Sequence, residues 1–293
     1  MALRGKTPTT ANKRLKALFY GAAGVGKTTA SIQFPRPYLI DTERGAENDQ
    51  YVDMLKKAGG VVFQTTDPDE VIAELRALVS EEHDYRTVII DPLSTIYNEL
   101  LDKGMQEKGE EFGRYKIPAD RKIKHILNLL LRGDFNVIIT SHAKPKWVST
   151  KDSKGKDTAV QEGLTFDCYG RLDYLFDLVI EVGKRGSDRV GIVRKTRLAG
   201  FPESDIFPFS YDEVAERYGR EALERGARAE AFATPEQCAE LTRLCTVTGV
   251  SPEVQQKWLD KSLAESFAEM PAAAVEQCIK WCKGRIEAAE VSQ

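Results

Sequence analysis

Up to about residue 233, short apolar runs alternate with stretches of helical period. Residues 15–20 read as a strand, 28–34 as a helix stopped by Pro35, and 38–40 and 61–63 as further strands. Val71, Ile72, Leu75, Leu78 and Val79 fall on one face of a helix. Residues 87–90 are a buried strand, 93–105 and 123–131 helices, and 136–140 another strand. This alternation predicts an α/β fold with a mostly parallel sheet covered on both faces. Two later apolar runs, 178–182 and 190–193, flank a polar turn at 184–188 and read as a β-hairpin on the sheet edge. After about 233 the strands stop. Thr234-Pro235-Glu236-Gln237 and Ser251-Pro252-Glu253 each open a helix, and Met270-Pro271 opens a third that ends near Ala289. The predicted organisation is thus a core at 1–233 and a small helical C-terminal module at 234–293.

Composition narrows this picture only a little. The chain has 293 residues, 42% hydrophobic and 30% charged, as an ordinary globular protein does, which excludes collagen-like and disordered classes. No apolar run approaches the ~20 residues that span a bilayer, and none follows the basic start at residues 1–16, so neither a membrane protein nor a secretory signal is expected. The net charge of −3 is uneven: residues 234–293 carry 6 basic and 9 acidic side chains, leaving 36 of each in the rest. Five cysteines fit a reducing cytoplasm. Cys238, Cys245, Cys278 and Cys282 are spaced by helical turns, which favours core packing over a zinc site.

The strongest chemical signal is Gly21-Ala22-Ala23-Gly24-Val25-Gly26-Lys27-Thr28, a full GxxxxGK[ST] match between a strand and a helix. Glycines let the loop wrap phosphates, so that its amides face the anion. Lys27 would reach the β- and γ-phosphates, Thr28 would ligate Mg²⁺, and Thr29 would close the nucleotide-binding set. Val88-Ile89-Ile90-Asp91 ends a buried strand in the carboxylate that such sites use toward the metal. The expected cofactors are ATP and Mg²⁺, and the expected activity is ATP hydrolysis.

Phe19-Tyr20-Gly21 entering the loop, then Tyr38-Leu39-Ile40-Asp41-Thr42-Glu43-Arg44-Gly45, then the strand end Ser141-His142 carry a resemblance over residues ~14–210. The chain resembles the RecA/KaiC core, and looks like phage RecA-like single-strand annealing proteins of the Sak type. The resemblance implies an α/β RecA-like P-loop NTPase core acting on single-stranded DNA in phage homologous recombination, in the cytoplasm of a bacterial host. It makes Glu43 the catalytic glutamate beside Asp41. It places His142 where the family usually has a γ-phosphate-sensing glutamine. It puts a mobile DNA-binding loop after that strand, at 144–156, where five lysines surround one tryptophan. Lys144, Lys146 and Lys151 would neutralise phosphates and Trp147 would stack on a base; a hairpin with a solvated tip is the alternative. Lys116, Arg121, Lys122 and Lys124 offer a weaker second basic surface. Lys195 and Arg197 fall where RecA/KaiC subunits send basic residues to a neighbour's γ-phosphate, which requires self-association into a ring or filament. A basic, protected edge strand is the alternative there. The acidic module would either recruit a single-strand DNA-binding protein or modulate access to DNA. A different function class, an ATP-driven switch that binds a protein partner without DNA, makes no use of the basic segment.

Overall fold

A computed structural model describes residues 14–45, 49–151 and 157–291, with side chains to residue 287. The sheet begins with β1 (Lys16–Gly21), followed by α1 (Lys27–Ser31), β2 (Pro37–Asp41), α2 (Asp49–Lys57), β3 (Val61–Gln64), α3 (Pro68–Ser80) and β4 (Thr87–Asp91). Next come α4 (Leu93–Lys108), α5 (Lys116–Arg132), β5 (Asn136–Lys151), β6 (Asp157–Phe166), α6 (Leu172–Leu175), β7 (Leu178–Arg185), β8 (Asp188–Thr196) and β9 (Ile206–Pro208). The strands form one sheet in the order β3-β2-β4-β5-β1-β7-β8-β9, with β6 paired to β5. From β3 through β7 the pairing is parallel; β8 and β9 add antiparallel strands. The class is the α/β one expected, with a mostly parallel sheet.

Alternation along the strands assigns the two faces. Leu18, Tyr20, Val88, Ile90, Val137 and Ile139 pack with α3, α4 and α5 on one side. Ala17, Phe19, Ile89, Ile138 and Ile180 pack on the other, against Phe201, Phe207 and Val214. Strands covered on both faces need apolar residues at every position, which is why β4 reads as an unbroken run. Lys16 is the exception in β1. Its ammonium donates to the carbonyls of Leu130 (2.7 Å), Gly133 and Phe135 (both 3.0 Å), and burial draws its pKa down to about 7.

Three details differ from the sequence reading. The 178–193 hairpin forms, but β9 lies outside β8, so β8 is not the edge. The strand read as 136–140 continues to Lys151 and pairs with β6, so the basic segment is part of a β-hairpin rather than a loop; residues 152–156 lie outside the described residues. β-branched residues explain the extension, with Val148 opposite Val160 and Thr150 opposite Thr158. Finally, α2, α7 (Tyr211–Tyr218) and α8 (Arg220–Glu224) fall where no element was assigned. The Ser210 side chain caps α7 by accepting from the Glu213 amide at 3.1 Å, an S-x-x-E signal present in the sequence.

Helices α9 (Pro235–Val247), α10 (Pro252–Ser262) and α11 (Ala272–Val291) follow. Thr234 and Gln237 form a reciprocal capping box. A third apolar cluster lies among these helices and includes the buried Cys245 and Cys282. Among the described residues, no group of three or more potential metal ligands gathers there or elsewhere. Likewise, no described helix is long and apolar enough to cross a membrane.

Candidate nucleotide site

Parallel pairing brings the C-terminal ends of four strands level, the position where ligands bind in open α/β sheets. Gly21 on β1 stands beside His142 on β5, and Asp41 on β2 beside Asp91 on β4. The loop 21–28 leaves β1 and enters α1. A side chain at Gly21 would collide with the Val182 carbonyl. Gly24 and Gly26 have φ of +71° and +98°, in the region that favours glycine. Lys27 is 7% exposed and donates to the carbonyls of Gly21 (2.9 Å) and Ala22 (2.8 Å). Burial lowers its pKa, against the pull of Asp91 and Glu43.

Asp91 is buried, which raises its pKa, while hydrogen bonds from the Thr140 hydroxyl and the Thr28 side chain oppose that shift. The structure therefore joins the two residues assigned to the metal. A hydroxyl and a carboxylate are hard oxygen donors of the kind Mg²⁺ takes with phosphates and water, so these side chains fit the ion. Asp41 turns the β2 exit by accepting from the amides of Glu43 (3.1 Å) and Gly45 (3.2 Å). That turn presents Glu43, whose Oε1 accepts from the Thr95 hydroxyl at 2.9 Å and lies 3.4 Å from His142 Nε2. His142 is held in turn through its amide, which donates to Ser94 Oγ at 3.1 Å. Both Glu43 and His142 remain nearly half exposed and are free to meet a reacting group.

The sequence assigns no site role to Thr95, Ser94 or Thr140. Thr140 had a signal, being the first polar residue at the end of an apolar strand. Ser94 and Thr95 had none, because their role depends on where α4 starts relative to β2 and β5.

The other assigned residues lie elsewhere. Lys195 stands opposite Val179, toward the end of the sheet remote from the loop, and donates to the Phe176 carbonyl. Arg197 follows β8, donating to Tyr174 O at 2.7 Å and pairing with Asp177. Within one subunit neither reaches the site. On the β5–β6 hairpin Trp147 is 62% exposed, Lys144 pairs with Asp167 (3.1 Å), Lys146 with Glu162 (2.7 Å), and Lys151 stands opposite Asp157. In the second basic surface, Lys122 is paired with Asp69 at 2.6 Å.

A phosphate loop and a buried strand-end aspartate bonded to its threonine form a P-loop nucleotide site. The model of the family described as "AAA domain" matches residues 13–205. The chain belongs to that family. No curated protein matches it. Among solved structures, it is similar to the RadB recombinase (17% identity, 67% of this chain and 87% of that one, TM-score 0.42). It is also similar to the assembled ATPase EscN of the enteropathogenic E. coli type III secretion system (15% identity, 93% and 67%, TM-score 0.36). At such scores neither structure bears on what this chain does.

Proposed function

We propose that the protein is a Mg·ATP-dependent ATPase that acts on single-stranded DNA in phage homologous recombination, by single-strand annealing. The observation that carries this reading is the course of β5. The strand that holds His142 3.4 Å from Glu43 runs on without a loop into an arm bearing Lys144, Lys146, Trp147 and Lys151. Thr28 and Asp91 hold Mg²⁺, Lys27 contacts the β- and γ-phosphates, and Glu43 orients or deprotonates the attacking water, with His142 sensing the γ-phosphate. Magnesium supplies charge neutralisation on the phosphates when bound. ATP binding assembles subunits on DNA through Lys195 and Arg197 reaching a neighbour, and hydrolysis releases them. Residues 234–293, whose Glu269 docks on α3 and α5, meet a single-strand DNA-binding protein or modulate access to DNA.

A second reading, an ATP switch with a protein partner, draws on the exposed cross-strand pair Val148–Val160 and on the ion pairs of Lys144 and Lys146. Exposed pairs of this kind are worth only ~0–1 kcal/mol, so phosphates can displace them.

Single-stranded DNA should quench the Trp147 emission, isolated by comparison with Trp147→Phe. The log–log salt slope should be about −0.7 per phosphate contact, and triple alanine replacement of Lys144, Lys146 and Lys151 should flatten it by roughly two. Trp147→Ala should weaken binding by ~1–3 kcal/mol with little change in slope. If both variants bind DNA as the wild type does, the arm is not a DNA element and the protein-partner reading replaces this one.

A further inference from the structure

Strand β8 runs antiparallel to β7, so its ends lie at opposite ends of the sheet. Lys195, opposite Val179, is remote from the phosphate loop; Arg189, opposite Lys184, lies past Val182, whose carbonyl abuts Gly21. Arg189 reaches back over the loop. A Cβ built on Gly26 would stand 2.5 Å from Arg189 Nε, 2.6 Å from Cδ and 3.1 Å from Cζ. The guanidinium therefore lies close against the loop backbone at Gly26, whose φ of +98° already favours glycine. It has no hydrogen-bond or ion-pair partner among the described residues. Its neighbours on β8 differ: Arg194 pairs with Glu181 at 2.9 Å, and Lys195 donates to a backbone carbonyl. Beside Arg189 a cleft of about 670 Å³, lined by Lys184, Arg185, Phe207 and Phe209 among others, gives the side chain space to swing.

We propose that Arg189 is a phosphate-contacting residue of the nucleotide site, supplied by the same subunit as the loop. The inference rests on the reading of residues 21–28 as a phosphate loop. A guanidinium presents paired donors that match phosphate oxygens, and it stays charged at any working pH. Lying against the loop without a carboxylate partner, it has its charge available to an anion held by the loop amides. Lys195 and Arg197 point elsewhere in this subunit, so Arg189 is the β8 cation that acts in cis.

The test is ADP affinity, measured by calorimetry across a salt series for the full-length wild type, Arg189→Ala, Arg189→Lys and Lys27→Ala, each checked for an unchanged melting temperature. Arg189→Ala should weaken ADP about ten- to a hundredfold, the range of a hydrogen bond to a charged group. It should also reduce the salt dependence, and Arg189→Lys should recover part of both. Wild-type affinity in Arg189→Ala overturns the proposal. So does a loss without change in salt dependence, which would mark a contact to ribose or base. Equal mixtures of Arg189→Ala and Lys27→Ala subunits should show no recovery of wild-type affinity; recovery would show that the arginine acts from the neighbour. If instead the wild type fails to bind ADP, or Lys27→Ala binds it equally well, the phosphate-loop reading itself falls.

Discussion

Replacing Glu269 by glutamine should loosen the C-terminal helices from the sheet-bearing part of the protein, and should do so in a pH-dependent way. Glu269 sits in a single 3₁₀ turn, residues 267–269, and is 3% exposed. Its carboxylate accepts from Arg76 Nε on α3 (2.6 Å), His125 Nε2 on α5 (2.9 Å) and the Glu265 amide (2.9 Å). Burial alone would raise its pKa, but the bonds from His125, Glu265 and Arg76 outweigh that and hold it at about 2, against an ordinary 4.5. At 1.36 kcal/mol per pKa unit this amounts to roughly 3 kcal/mol. The half-exposed Arg76 reduces that to about 2 kcal/mol because solvent screens it. The folded pKa lies below the unfolded one, so the stabilisation is complete above pH ~4.5 and is lost as pH falls toward 2. Trp258 and Trp281 stack edge to face at 5.6 Å in the C-terminal helices and report their state in urea titrations. The wild type should lose about 2 kcal/mol between pH 5.5 and 2.5. Glu269→Gln should start about 2 kcal/mol lower at pH 7 and show a flatter profile. If the variant tracks the wild type within ~0.5 kcal/mol at every pH, the carboxylate does not hold these helices in place.

Glu43→Gln keeps an acceptor for Thr95 and should still bind ATP, yet hydrolyse it at least ~10²-fold more slowly, the low end of general-base effects; wild-type turnover in a phosphate-release assay would return Glu43 to a turn residue. Lys195→Ala and Arg197→Ala should lower ATPase activity without weakening nucleotide binding. Mixing either with Lys27→Ala subunits should restore activity, and no recovery at any ratio would count against a shared site.

The sheet was legible wherever burial on both faces forces continuous apolar runs, as in β1, β4 and the first half of β5. It was not legible in α2, whose four charged residues among nine leave a single buried position, Leu55. Nor was the far half of β5 legible: it is exposed on both faces, so only its partner strand makes it a strand. At the site, Lys27, Thr28 and Asp91 could be named in advance because loop spacing and a strand end fix them locally. Thr95 and Arg189 could not, since each depends on register between elements far apart in sequence. The pairing of Lys195 and Arg197 with residues 174–177 was hidden for the same reason.

β5 is sixteen residues long, about 50 Å of extended chain at ~3.3 Å per residue. Its first six residues are buried in the sheet and its last eight are exposed. The contact to Glu43 sits close to the boundary. The strand is thus a lever whose fulcrum adjoins the Glu43 carboxylate, with the longer arm outside. Its joint is the register shift between Pro145 and Trp147, opposite Gly163 at φ +78°. Any load carried down the arm would have to cross this irregular register before reaching His142, which sets the arm mechanically apart from the buried half of the strand.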